Sequence, residues 1–390
     1  MAGRRPRHRP AHTQDTGSGL TASTSARTAP TLDQDPLNTS PALPDIVWAD
    51  PAREQAFDRW LAAAAVSHGL LAPSLRPASS DASFRRYFRV DAKGGATYVV
   101  MDAPPPLEDV RPFVDIASRL MRAGLNAPRI VEQDCVNGFL LLSDLGTNLY
   151  LNELLSAQAA RDEGAITALM RDAIAALVTW QRHGDATGLP PYDDALLRRE
   201  LALFPQWCVH REYGVTWSEA QQRIWASACD CLVASALAQP QVAVHRDYMP
   251  RNLMVCAPNP GILDFQDAVC GPASYDPACL LRDAFISWDE AHELDWAVRY
   301  WEAARKSGVP LSDDFGEFWC QLEWMGLQRH LKVLGIFCRL KHRDGKPKYS
   351  EDLPRFFNYA HKVATRYAPL RPLAGLLEPL MGVQRSVAFY

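Results

Sequence analysis

One stretch constrains this chain more than any other. From Val242 it reads Val-Ala-Val-His-Arg-Asp-Tyr-Met-Pro-Arg-Asn-Leu-Met-Val, and shortly afterwards Gly261-Ile262-Leu263-Asp264-Phe265. An H-x-D-x-x-x-x-N loop is followed by a short apolar run, a Pro/Asn/Gly turn from Ala257 to Gly261, and a second apolar run ending in Asp264. Two apolar runs joined in this way predict a β-hairpin. Asn252 opens its outgoing strand and Asp264 closes the returning one, so both belong at the same end. Two oxygen-bearing side chains side by side suit Mg²⁺, which binds through one or two carboxylates, substrate phosphates and water. Asp247, on the loop just before them, is placed to accept a proton from an incoming hydroxyl while the metal holds nucleotide phosphates. Taken singly, each residue is an ordinary turn Asp, capped Asn or core His. The spacing, the hairpin and the terminal Asp together point to phosphoryl transfer.

The pattern around this segment predicts two lobes. Residues 50–75 fit a helix carrying Phe57, Trp60, Leu61 and Ala64. Short β-prone runs follow at Phe84 to Val90 and Thr97 to Met101. Val110, Phe113, Val114, Ala117, Leu120 and Met121 then recur at helical spacing, before two more extended runs at Arg129–Glu132 and Phe139–Ser143. Two strands, a helix and two strands make a small lobe over 46–145. Beyond Gly146 the period becomes helical, most strongly at Ile166, Leu169, Met170, Ala173, Leu177 and Val178. The expected fold class is α+β, with a β-rich lobe, a larger helical lobe over 146–390 and a cleft between them. Residues 1–45, rich in Arg, Pro, Ser and Thr, lack the apolar groups to offset their ordering entropy and are expected to be a disordered tail.

Composition removes other readings. The chain of 390 residues has a net charge of −4, and its first forty residues hold five Arg against three Asp, so the remainder is more acidic still. A mildly acidic body is a poor nucleic-acid binder. No apolar run reaches the roughly 18–20 residues of a membrane span. The nine cysteines are scattered without a C-x-x-C, and free, mostly buried thiols in a reducing cytosol are expected. Gly17-Ser18-Gly19-Leu20-Thr21-Ala22 mimics a dinucleotide-binding fingerprint, but in the tail it has neither strand nor helix to work with.

His245 through Asn252, with Leu263-Asp264-Phe265, resembles the catalytic and metal loops of the protein-kinase-like superfamily, in its aminoglycoside phosphotransferase and choline kinase branch. Residues 264–268 read Asp-Phe-Gln-Asp-Ala in place of the kinase Asp-Phe-Gly. The segments Asp81 to Val90, Val100 to Pro105 and Gln328 to Phe337 are similar to a narrower bacterial group, the anomeric N-acetylmuramate/N-acetylglucosamine kinases of cell-wall recycling. The resemblance spans about residues 50 to 390. It implies a bilobal protein-kinase-like fold, ATP and Mg²⁺ as cofactors, Asp247 as catalytic residue and Asn252 and Asp264 as metal ligands. It also implies a cytoplasmic enzyme that phosphorylates the anomeric hydroxyl of a small amino sugar, with no nucleic-acid or membrane partner.

The turn from Ser79 to Arg85 matches the loop over the nucleotide phosphates. It lacks glycine, so Ser80, Asp81, Ala82, Ser83 and Arg85 would cradle phosphate through hydroxyls, backbone N–H groups and a guanidinium, or else form an ordinary turn. The strand that usually carries a phosphate-binding Lys reads Tyr98-Val99-Val100-Met101-Asp102. Met101 takes the Lys position, and either Arg85 or Lys93 must supply the charge, with Glu108 the nearest candidate for an ion pair. For the acceptor, Arg329 and Lys332 share one polar helix face and either meet a lactyl carboxylate or are solvated surface charges. Trp207 and Trp324 either stack on a sugar or pack in the core. Asp267 and Asp283 either bind sugar hydroxyls or cap helices. The rival readings are an aminoglycoside or choline-like acceptor on the same fold, and a nucleotide-binding scaffold without catalysis.

Overall fold

The computed structural model describes residues 46–80, 84–105 and 107–382, without the side chains of residues 79 and 80. The tail, its glycine pattern, and Asp81, Ala82 and Ser83 lie outside the described residues. Helix α1 (Pro51–His68) starts on Asp50, whose carboxylate accepts the Ala52 N–H at 2.9 Å. It stops at Gly69, whose φ of +66° is a left-handed cap that glycine takes without strain. The helix is therefore shorter than the periodicity alone suggests.

Five antiparallel strands follow, β1 (Arg76–Ser80), β2 (Arg86–Asp91), β3 (Thr97–Asp102), β4 (Ile130–Asp134) and β5 (Phe139–Ser143), in the order β1-β2-β3-β5-β4, with α2 (Arg111–Arg122) between β3 and β4. Strand β1 corrects the sequence reading, which assigned Ser79 and Ser80 to a turn. Arg-Pro-Ala-Ser-Ser carries no β-branched or aromatic residue, and Pro77 is tolerated because β1 is an edge strand with an irregular register between Pro77 and Ser79. The period-2 pattern sorts the sheet into two faces. Phe88, Val90, Val100, Phe139 and Leu141 pack on Phe57 and Leu61 of α1. Met101, Leu140 and Leu142 face the other way, into a core that runs through α2 into the helical lobe.

The helical lobe comprises α3 (Tyr150–Ala160), α4 (Glu163–His183), α5 (Asp194–Leu201), a π-helical segment (Phe204–Glu212) and α6 (Glu219–Leu237). Strand β6 (Gln241–Val244) leads to the hairpin β7 (Leu253–Met254) and β8 (Gly261–Ile262), and β9 (Val269–Pro272) pairs back on β6. Then come α7 (Tyr275–Leu281), α8 (Glu290–Lys306), α9 (Phe315–His342), α10 (Leu353–Arg366) and α11 (Arg371–Leu377). Helix α9, 28 residues long, contacts α5, α6, α7, α8 and α10 and is buried on most sides. At Gly335 a Cβ would stand 2.4 Å from the backbone carbon of Leu203, so glycine is what lets the π segment pack directly on α9. No helix among the described residues is long and apolar enough to cross a membrane. All nine cysteines are free. Cys208, Cys229, Cys279 and Cys338 are buried, and Cys135 is exposed.

Candidate active site

The predicted hairpin forms, two residues to a strand, with Leu253 opposite Ile262 and Met254 opposite Gly261. The Leu263 N–H extends it by donating to the Asn252 carbonyl at 2.9 Å, which brings Asn252 beside Asp264. The Asn252 amide nitrogen donates to the Asp247 carbonyl at 2.9 Å and lies 3.4 Å from Asp264 Oδ2. Gln266 donates to Asp264 Oδ1 at 2.8 Å. Asp247, Asn252 and Asp264 are thus gathered at one end of the hairpin. Because the Asn252 nitrogen is committed, its oxygen is the group left to act as an acceptor. That oxygen and the Asp264 carboxylate are hard donors of the kind a divalent cation such as Mg²⁺ takes, and they fit one.

The loop is fixed from beneath. His245 is buried; its Nε2 donates to the Leu263 carbonyl at 3.0 Å, and its Nδ1 accepts the Asp247 N–H at 3.3 Å. One nitrogen donates and the other accepts, which only neutral imidazole can do. Burial pushes its pKa down to about 4 in keeping with that. Asp276, at the start of α7, accepts the His245 N–H at 2.7 Å and the Arg246 N–H at 3.0 Å, and burial pushes its pKa up to about 7. Two non-glycine residues here, Arg246 (φ +74°) and Asp264 (φ +60°), hold left-handed backbone. Such strain persists only where surroundings over-determine it.

A cavity of about 510 Å³ opens between the sheet, represented by Tyr87, Val99 and Leu142, and the hairpin side, represented by Asn252, Leu263 and Asp264. At its rim Arg89 of β2 clamps Asp144 at 2.5 and 2.9 Å and also donates to the Gly146 carbonyl at 2.7 Å, tying the sheet to the connection between lobes. Also from the small lobe, Asn126 donates to the Pro258 carbonyl at 2.6 Å and accepts the Ile262 N–H at 2.8 Å, so the hairpin is bonded across to that lobe.

Of the nucleotide-side candidates, Met101 is fully buried under the sheet, paired with Tyr87 and Leu140. Lys93 is exposed on the β2–β3 turn, at the opposite end of that hairpin from Arg85. Arg85 is the cation that reaches the hairpin. Its Nη2 lies 3.9 Å from Asp264 Oδ1 and its Nε 3.8 Å from Glu108 Oε2.

The acceptor-side candidates divide. Arg329 and Lys332 are not on a solvated face: Arg329 is 2% exposed, and Lys332 is mostly covered, with its Nζ 3.0 Å from Glu200 Oε1 and 3.1 Å from the Tyr275 hydroxyl. Of the two alternatives, solvated surface charge fails because α9 is surrounded by other helices. Asp247 acts electrostatically on Arg246, Arg329 and Lys332. Asp283 is buried beside Arg329 with its Oδ1 on the Ala284 N–H at 2.6 Å, and burial raises its pKa to about 6. Asp267 is exposed, and its carbonyl faces Arg246 at 3.4 Å. Trp207 is not brought to the cleft cavity; it packs half-buried on the core and lines a separate surface pocket with His210, Arg211 and His342. Trp324 packs against Tyr367.

Glu200 of α5 was not anticipated. It accepts from Arg246 at 2.6 Å and from Lys332 at 3.0 Å, and it also bonds the Tyr192 hydroxyl. Although burial opposes ionisation, Lys332 and Arg246 hold its pKa at about 2. A signal existed in the sequence: Glu200 falls in register with Leu196 and Leu197, inside the apolar stripe of its helix.

Comparison with known proteins agrees with this geometry. The chain is 51% identical to an N-acetylmuramate/N-acetylglucosamine kinase from Pseudomonas putida, over 81% of this chain and 91% of the relative. It is 50% identical to a protein of the same name from Pseudomonas aeruginosa, over 85% of this chain and 98% of the relative. In three dimensions it resembles a choline/ethanolamine kinase family protein from Mesorhizobium loti with a TM-score of 0.53 at 13% identity, covering 84% of this chain and 99% of that one, a likeness of fold. Residues 74–311 match the signature of the phosphotransferase enzymes, and with these relatives beside it the chain belongs to the phosphotransferase enzyme family.

Proposed function

We propose that this chain transfers the γ-phosphoryl group of ATP to the anomeric hydroxyl of N-acetylmuramate or N-acetylglucosamine, in the cytoplasm, as a step in recycling cell-wall sugars. The observation that carries the phosphoryl-transfer chemistry is the Asn252 amide, which ties the Asp247 carbonyl to the Asp264 carboxylate within one hairpin end. The relatives' names carry the acceptor.

Asp247 accepts the proton of the acceptor hydroxyl as its oxygen forms the new bond to phosphorus and the bond to the departing ADP oxygen breaks. Neutral His245, held by the Leu263 carbonyl, accepts the Asp247 N–H and so fixes the loop. Asn252 and Asp264 would hold Mg²⁺. Bound there, the metal neutralises phosphate charge. Arg85 supplies the phosphate-side cation in place of the strand Lys, with Glu108 as its partner. Ser80, Asp81, Ala82 and Ser83 are the residues the sequence assigns to the phosphates. Arg329, Lys332 and Asp283 line the acceptor side, with Asp267 at its rim. A cationic aminoglycoside or choline would meet Arg246, Arg329 and Lys332 there, which disfavours both.

The test is ADP release with Mg-ATP against N-acetylmuramate, N-acetylglucosamine, glucose, kanamycin and choline, with the phosphate position read by phosphorus NMR. Turnover confined to the N-acetyl sugars, lost by roughly 10²-fold or more in Asp247→Asn while ATP still binds, is the expected result. Turnover with kanamycin or choline replaces the acceptor. Full activity of Asp247→Asn ends the assignment.

A further inference from the structure

We propose that Arg246, with Lys332 beside it, binds the carboxylate of an anionic acceptor such as N-acetylmuramate, a contact that the neutral N-acetylglucosamine leaves unused. The proposal rests on the amino-sugar kinase reading above and adds to it the group that senses the acceptor's charge.

The backbone gives the first reason. Residue 246 has φ +74°, a conformation glycine adopts without strain and arginine does not. What the loop needs from the main chain here, the 3.0 Å bond from its N–H to Asp276, a glycine would supply equally. The side chain therefore has a use of its own.

Charge gives the second. Arg246 Nη2 and Lys332 Nζ converge on the same oxygen, Glu200 Oε1, at 2.6 and 3.0 Å. Two cations thus share one carboxylate, with Asp247 acting on both from further away. The other Glu200 oxygen is taken by the Tyr192 hydroxyl. Arg329 adds a third cation from α9; among the described residues no carboxylate lies within 4.0 Å of its guanidinium, and its closest oxygen partner is the Arg282 carbonyl at 3.4 Å. Asp247 and Asp283 act on Arg329 from further away.

The donor inventory gives the third. Of the Arg246 guanidinium, only Nη2 makes a short bond. Nη1 has a 3.4 Å contact to the Asp267 carbonyl, and Nε is buried without a partner. A guanidinium whose Nη1 makes no short bond, 20% exposed and one residue from Asp247, suits a charge-assisted contact to a carboxylate. Glu200 is then a positioning residue: it holds two cations together that would otherwise repel.

The experiment compares N-acetylmuramate with its methyl ester, which is the same sugar without the charge, by kcat/KM in the wild-type protein, Arg246→Gly and Lys332→Met. In the wild type the acid should exceed the ester by about tenfold, mainly through KM, the size of a lost charge-assisted bond. In Arg246→Gly that ratio should fall to near unity, and in Lys332→Met part of the way. Because the ratio is taken within one protein, general losses of folding or turnover cancel. Equal handling of acid and ester by the wild type overturns the proposal, as does a ratio unchanged in both variants. Should Arg246→Gly not fold, the wild-type ratio and Lys332→Met still decide. A wild type active on N-acetylglucosamine but indifferent to the carboxylate defeats this inference alone; one idle on both sugars defeats the amino-sugar reading and this inference with it.

Discussion

Removing the charge of Arg85 tests how this chain manages without a strand Lys. The guanidinium is 11% exposed and stands 3.9 Å from Asp264 Oδ1 and 3.8 Å from Glu108 Oε2, beyond hydrogen-bond range of both. At about 4 Å, with an effective dielectric near 20, each pair attracts by up to about 4 kcal/mol before desolvation is subtracted. Partly exposed pairs retain only about 0–1 kcal/mol of that as stability. Loss of these two pairs in Arg85→Met should therefore change the unfolding free energy by no more than about 1 kcal/mol. Nucleotide use should respond far more, because a charge-assisted bond to phosphate contributes about 1.5–3 kcal/mol, or roughly 10–150-fold in kcat/KM for ATP. Steady-state ADP release at varied ATP reads the ratio, and urea denaturation supplies the control. Arg85→Lys should recover part of the loss, since it keeps charge but not the planar fork. A change under about threefold in Arg85→Met, with folding intact, would refute the idea that Arg85 replaces the Lys.

Two further outcomes follow from buried groups. His245 is held neutral with its pKa lowered to about 4, so unfolding takes up a proton: its share of stability is complete above about 6.5 and is lost as pH falls towards 4, at up to about 1.4 kcal/mol per pH unit. Asp276, raised to about 7, works in the opposite direction, its share being complete below about 3.8 and lost as pH rises through 7. The His245 component is thus read as the difference in unfolding free energy between wild type and His245→Asn from pH 7.5 to 4.5, and a pH-independent difference would contradict it. Glu323 is fully buried and accepts from Arg282 at 2.9 Å, Arg366 at 2.7 Å and the Tyr367 hydroxyl at 2.6 Å. Glu323→Ala leaves the buried Arg282 guanidinium with Glu293 at 3.1 Å as its remaining carboxylate and should destabilise by about 3 kcal/mol in chemical denaturation, whereas a loss under about 1 kcal/mol would show that the network relaxes.

The hairpin was legible in the sequence because its information is local: two apolar runs, a turn and polar ends within some twenty residues. The strands with aromatic and β-branched residues were legible for the same reason. Strand β1 was not, since Arg76 to Ser80 is extended by its pairing with β2 rather than by any preference of its own. The sequence left the charges of α9 open between a ligand contact and a solvated face, because the burial of this 28-residue helix on most sides, and the partner of Lys332, Glu200, are set by residues remote in sequence. Arg85 was one of two cations the sequence offered. Only the sheet register, which sends Lys93 to the far end of the β2–β3 hairpin, separates them.

The small lobe is fastened to the helical lobe at several points: Asn126 bonds the β7–β8 hairpin, Arg119 of α2 donates to the Asp185 and Thr187 carbonyls, and Arg89 donates to the Gly146 carbonyl. A lobe held in this way, and sharing a core with its neighbour through α2, has no single axis left to swing about. Opening of the cleft must break a tie or bend the sheet against α2. The 3.9 Å approach of Arg85 to Asp264 is therefore a fixed spacing rather than a gate left ajar.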